Sequence, residues 1–114
     1  NLLNKKDFDK RFDMDYWALS NKSSIEHILK SYNSFPVKVG TVSFASLEKS
    51  LLIFDESDKN KIIVTHDLIN ADFLITNYMP RRSGNFVIND KNYEKYYEIL
   101  VDGTPINTVY KKIN

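Results

Sequence analysis

Asp102-Gly103 separates two extended segments, residues 93–101 and 104–113, and this arrangement most constrains the fold. An Asp-Gly pair is a strong local turn signal between strands. The chain is therefore expected to end in a β-hairpin, and the elements before it must supply what packs against that hairpin.

Upstream, two periodicities alternate. Val37, Val39, Thr41 and Ser43 interleave with Lys38, Gly40, Val42 and Phe44, and branched residues at this density favour a strand buried on at least one face. Ile62-Ile63-Val64 and Phe73-Leu74-Ile75, the latter within residues 71–77, read as short interior strands. Between and before them lie helical stripes. Ile25, Ile28, Leu29 and Tyr32 recur at offsets of three, four and seven. Ser23 with Glu26 has capping-box spacing, Ser20 competes as a cap one turn earlier, and Asn33-Ser34-Phe35-Pro36 should end the helix. Leu47, Leu51 and Phe54 share a second helical face that Leu52 widens, with Ser46 as cap and Glu48 in the first turn. Residues 55–60 read as a charged connection, and 79–92 as a loop with one short element near Phe86-Val87-Ile88. Strands flanking the second helix suggest a partial βαβ unit. The expected fold is a compact two-layer α/β domain over residues 11–114, with a mixed sheet, two or more helices and the terminal hairpin. Residues 1–10 form a polar lead-in.

A chain of 114 residues suits one domain with one modest core. Sixteen basic side chains meet fifteen acidic ones, so no global field attracts nucleic acid or acidic lipid. The absence of cysteine excludes disulfides, thiolate nucleophiles and cysteine-based metal sites, and leaves the compartment open. The longest strictly apolar run, Leu51-Leu52-Ile53-Phe54, is far short of the ~20 residues of a spanning helix. The chain opens at Asn1 without methionine or a signal-peptide pattern, as expected of a processed chain or a fragment of something larger.

Few residues carry recognisable chemistry. Phe12, Met14 and Tyr16 alternate with Asp13 and Asp15, a period-two signal for a short half-buried strand. On a strand the two carboxylates point the same way, about 6–7 Å apart, a spacing suited to acid/base work or a hard cation. The plainer reading is a solvated strand face, and no further oxygen ligands are identifiable. His66-Asp67 follows an expected strand, at the end where open α/β sheets bind ligands, but has no nucleophile motif beside it. His27 lies on the polar side of the first helix, and neither histidine belongs to a zinc motif. There is no nucleophile elbow, and three glycines make no phosphate-cradling loop. Gly40 reads as a close backbone approach or a bulge. Asn21-Lys22-Ser23 meets the N-glycosylation pattern but sits near a helix start, and glycosylation is not expected.

The best binding candidates are Tyr78, Arg81 and Arg82, because paired arginines grip phosphate or carboxylate. Tyr93, Tyr96, Tyr97 and Tyr110 would add hydroxyls or stacking surface, set against the plainer reading of a solvent loop and a tyrosine-covered sheet. No RNP pattern supports RNA binding. Trp17 is expected to anchor its segment against the domain.

Three ordered segments carry a resemblance. Residues Phe12-Asp13-Met14-Asp15-Tyr16-Trp17-Ala18-Leu19-Ser20 resemble an aromatic-acidic stretch, usually containing DYWGLS, that follows the membrane helices of some bacterial polytopic proteins. Those proteins are similar to the dolichyl-phosphate-mannose mannosyltransferase family. Ala71-Asp72-Phe73-Leu74-Ile75-Thr76-Asn77-Tyr78 resembles a second segment of that family, and Tyr97-Glu98-Ile99-Leu100-Val101-Asp102-Gly103-Thr104-Pro105-Ile106, followed by Thr108-Val109-Tyr110-Lys111, resembles its terminal hairpin. Ala18 stands where glycine is commoner, and the lead-in Phe12-Asp13 replaces Phe-Glu.

The resemblance implies the non-catalytic extracytoplasmic or periplasmic domain of a membrane-embedded, polyprenyl-phosphate-sugar-dependent glycosyltransferase. The catalytic acidic centre of such proteins lies in the membrane portion, so Asp13 and Asp15 inherit no catalytic role. The implied partners are the membrane domain of the same polypeptide and a glycan or protein acceptor, with no nucleic acid and no cofactor. A small carboxylate-dependent enzyme and a purely structural domain are the alternatives.

Overall fold

The computed structural model describes residues 13–42, 47–78, 88–89 and 91–113, with side chains from residue 19 onward. A long helix opens the fold, α1 (Asp13–Ser31), followed by β1 (Val37–Thr41), two short helices α2 (Leu47–Leu51) and α3 (Glu56–Lys59), and β2 (Ile62–Val64). Then come β3 (Phe73–Thr76), β4 (Tyr93–Val101) and β5 (Thr104–Lys112). The strands form one mixed sheet in the order β2-β1-β3-β5-β4. β1 is parallel to both β2 and β3, whereas β5 runs antiparallel to β3 and β4. This is the α/β architecture expected, including the β1-helix-β2 unit and the hairpin.

The hairpin turn follows from local stereochemistry. Asp102 (φ 50°) and Gly103 (φ 78°) both occupy left-handed backbone, as a tight two-residue hairpin turn demands. A register shift between Lys95 and Tyr97 then breaks the alternation along β4. As a result the adjacent Tyr96 and Tyr97 both pack against the core on the α1 side.

That core joins Ile25 and Ile28 of α1 to Val37, Val39, Ile62, Phe73, Ile75 and Val109, with Leu47 of α2 beside them. Each aliphatic side chain fully removed from water contributes about 1.5–3 kcal/mol. Leu29 and Tyr32 complete the expected stripe at its half-buried margin. The opposite sheet face carries a smaller cluster of Leu68, Ala71, Leu74 and Tyr93. It forms because β2 connects to β3 without a helix, by a short chain that crosses over β1. Gly40 lies under that crossing: a Cβ there would stand 2.6 Å from Leu68 Cδ2 and 3.1 Å from the Thr65 carbonyl oxygen. The close backbone approach read from the sequence is thus the correct one.

Three local expectations change. The segment around Asp13–Ser20 is the first part of α1, not a strand, so Ser20 and Ser23 lie inside the helix and cap nothing. Alternation over five residues also fits helical spacing, and short apolar runs are ambiguous on this point. Secondly, α2 stops at Leu51, and Leu52 is 71% exposed rather than widening a buried face. Thirdly, residues 55–60 contain α3, whose N-cap Asp55 accepts from the Asp58 N–H at 3.0 Å and from Ser57 Oγ at 2.8 Å. Those two bonds, the hydroxyl first, hold the Asp55 carboxyl below its usual range. Ser46, most of 79–92 and the lead-in 1–10 lie outside the described residues.

Candidate functional site

Parallel strands that diverge around β1 create a switch point at the carboxyl ends of β1 and β3, where open α/β sheets bind ligands. Its polar groups are engaged within the fold. Thr41 Oγ1 donates to the Ile75 carbonyl at 3.1 Å. Thr76 Oγ1 accepts the Tyr78 N–H at 3.1 Å, and the Tyr78 hydroxyl pairs with Thr108 Oγ1 at 2.6 Å. Tyr78 has φ 65°, a left-handed conformation uncommon for an aromatic residue, and is 49% exposed. Arg81 and Arg82 lie outside the described residues.

The tyrosines proposed to join that surface do not form one patch. Tyr93 is buried, and its hydroxyl lies 2.8 Å from the Ala71 carbonyl, 3.0 Å from that of Leu68 and 3.3 Å from that of Ile69. It fastens the β2–β3 crossing to the hairpin. Burial, then the nearby Asp72 and Asp67 charges, pushes its phenol above the usual range and keeps it a donor. Tyr110 packs on the same face. Tyr97 is on the other face, stacked on His27 with ring centroids 3.7 Å apart and planes 9° from parallel. Tyr96 meets the same imidazole edge-on at 5.8 Å.

The acidic pair fares differently from expectation. Asp13 and Asp15 are both in α1, and positions two apart on a helix do not face each other. The strand expected to carry them is thus a helix, and their side chains lie outside the described residues. Trp17 lies in the same helix, its side chain outside the described residues. His66 is exposed, with Nε2 3.9 Å from Glu48 Oε2, while Asp67 accepts from Asn70 Nδ2 at 2.8 Å. The Asn70 amide lowers the Asp67 carboxyl below its usual range. The two neighbours thus serve different local contacts. Among the described residues no three His, Cys, Asp or Glu side chains gather as a metal site, and no helix is long and apolar enough to cross a membrane.

Sequence reasoning missed a buried polar layer under the middle of α1. Asn107 Nδ2 donates to Ser20 Oγ at 2.9 Å and Asn21 Oδ1 at 2.8 Å, while Ser24 Oγ donates to Asn107 Oδ1 at 2.6 Å. Asn21 is wholly buried, and its Nδ2 has no partner among the described residues. The available signal was phase: Ser24 and Asn21 precede Ile28 by four and seven residues, in line with the apolar stripe.

Two recesses flank α1. A cleft of about 370 Å³ is lined by Lys22, Glu26, Leu29 and Lys30 on the helix and by Ile53, Phe54, Asp55 and Asp58 opposite. A groove of about 250 Å³ is lined by Leu19, Ser20 and Ser23 of α1 and by Ile99, Val101 and Ile106 near the hairpin tip. The groove is mostly apolar, with Leu19 58% and Val101 44% exposed. No family model, curated protein or solved structure matches this chain.

Proposed function

We propose that this chain is a non-catalytic docking and recognition domain, the extracytoplasmic part of a membrane-embedded glycosyltransferase-like protein. The three sequence segments supply the family side of this reading. The observation that carries its docking side is the apolar groove of Leu19, Ile99, Val101 and Ile106. Exposed aliphatic surface beside a helix and a hairpin tip gains free energy when another apolar surface covers it. In this reading its occupant is the membrane portion of the same polypeptide. Tyr78, and with it Arg81 and Arg82, provides a second contact region for a partner or acceptor.

The competing small-enzyme reading needed Asp13 and Asp15 on one strand face. Both residues lie in α1, so the strand geometry that suggested this alternative is replaced by a helix.

The first check is the parent gene, which must encode several apolar spans in the same reading frame. The second is the pair Leu19→Asp/Val101→Asp in the full-length parent in its membrane. Both positions are exposed, so folding should survive. Crosslinking between the domain and the membrane portion should fall, and sugar transfer with it. Unchanged crosslinking and transfer would overturn the docking role. Arg81→Ala/Arg82→Ala should lower acceptor use while leaving membrane insertion intact, and unchanged acceptor use would remove that loop from the reading.

A further inference from the structure

We infer that the cleft between α1 and the Ile53–Asp58 segment is a saccharide-binding site. The inference deepens the recognition role proposed above by naming a ligand class and a location.

A sugar ring offers an apolar face of C–H groups and an edge of hydroxyls that both donate and accept hydrogen bonds. The cleft supplies both kinds of partner. Leu29 and Phe54 are only half-buried against the core, and Ile53 is 61% exposed, so aliphatic and aromatic surface lines the recess. Acceptors surround it: Glu26 on α1, with Asp55 and Asp58 opposite. The capping bonds that lower the Asp55 carboxyl keep it an anion and hold it in place. Donors come from Lys22 and Lys30 on the helix wall. Lys22 lies 3.4 Å from Glu26, which ties the two polar groups of that wall together.

Charge narrows the ligand class. The three carboxylates of the lining meet the ammonium groups of Lys22 and Lys30 and that of Lys61, whose Nζ lies 3.8 Å from Asp58 Oδ1, so the near-balanced cleft attracts neither a polyphosphate nor a strongly cationic ligand. Its volume of about 370 Å³ is at the small end of ligand pockets, which run from about 300 to 1,000 Å³. That size suits one or two sugar residues better than a folded protein surface. The ligand that fits is a short saccharide, or one end of a longer glycan, without a high density of charge.

Amide chemical-shift titration of the purified 114-residue chain tests this directly, with glucose, galactose, mannose, N-acetylglucosamine and their disaccharides as probes. At least one should produce saturable shifts centred on Leu29, Lys30, Phe54 and Asp58. Asp58→Asn and Lys30→Ala should each weaken that binding about tenfold by removing a charged hydrogen-bond partner. Phe54→Leu, which retains an aliphatic contact with the core, should weaken it as well. Three results would overturn the inference: no saturable shift with any saccharide, shifts indifferent to all three substitutions, or saturation only by inorganic phosphate or phosphocholine. Because this assay uses the chain without its parent, its failure is distinguishable from failure of the membrane-docking experiment.

Discussion

Asn107→Ala tests the buried polar layer most severely. The amide makes three hydrogen bonds to α1, and its removal strands partners that are themselves out of water. A buried polar group left without a partner costs about 1–3 kcal/mol. The three partners do not suffer equally. Ser20 and Ser24 can turn their hydroxyls toward helix carbonyls four residues earlier, which relieves most of their loss. Asn21 has no such recourse: its Nδ2 already lacks a partner among the described residues, and its Oδ1 accepts from Asn107. The expected destabilisation is therefore about 3 kcal/mol, dominated by Asn21. That is a large fraction of the 5–15 kcal/mol typical of a small domain, and lowers Tm by roughly ten degrees. Urea denaturation followed by circular dichroism measures it, with the m-value checking that both variants unfold in the same manner. The same reasoning makes a sharper demand. Asn21→Leu/Asn107→Leu removes donor and acceptor together and should recover at least half of the loss. A cost for Asn107→Ala below about 1 kcal/mol, or a double variant no better than the single, would refute the argument.

Gly40→Ala should destabilise by about 1–3 kcal/mol through overpacking against the β2–β3 crossing, and less in a Leu68→Ala background; equal costs in both backgrounds would exclude the Leu68 contact as the cause. Tyr93→Phe should cost about 1 kcal/mol by urea denaturation and raise amide exchange in residues 66–71, with unchanged exchange counting against the clamp. Because the folded Tyr93 pKa lies above its unfolded value of 10.0, its contribution is complete below pH 10 and fades as pH rises through the folded value. Asp55 behaves oppositely. Its folded pKa lies below 3.8, so its contribution is present above that pH and fades as pH falls through the folded value; carbon chemical shifts of α3 that ignore this acid range would contradict the cap.

Where local chemistry and packing agree, the sequence was sufficient. Asp102-Gly103 produced the turn, branched residues produced β1 to β3, and Ile25 with Ile28 marked the buried face of α1. The misreading at the start of α1 has one physical origin. Ser20, Asn21 and Ser24 look like the solvent-facing start of a helix, because small polar residues usually occupy caps and surfaces. Here they are inside, since Asn107 arrives from 83 or more residues away to pair with them. No local pattern announces that partner. Once the polar layer is recognised, the apolar stripe has an uninterrupted continuation, and the helix runs on to Asp13. The separation of the tyrosines was similarly hidden. Strict alternation sends Tyr96 and Tyr97 to opposite faces, and a bulge that depends on pairing with β5 turns both toward α1.

The two recesses depend on the same helix, and its geometry separates their roles. Asn21, Ser24, Ile25 and Ile28 form the line that α1 buries. At about 100° per residue, Lys22 and Leu29 fall on one flank of that line and Ser20 and Ser23 on the other. The polar cleft belongs to the first flank and the apolar groove to the second. A surface docked in the groove would leave the cleft open, so docking and saccharide recognition can occur together. The substitutions should consequently sort by flank. If both proposals hold, Lys30→Ala and Asp58→Asn should weaken saccharide binding without loosening contact with the proposed membrane portion, whereas Leu19→Asp/Val101→Asp should do the reverse. If each pair disturbed both measurements in variants that remained folded, the flanks would not be independent surfaces. A single interface spanning α1 would then replace the division of labour argued from its two sides.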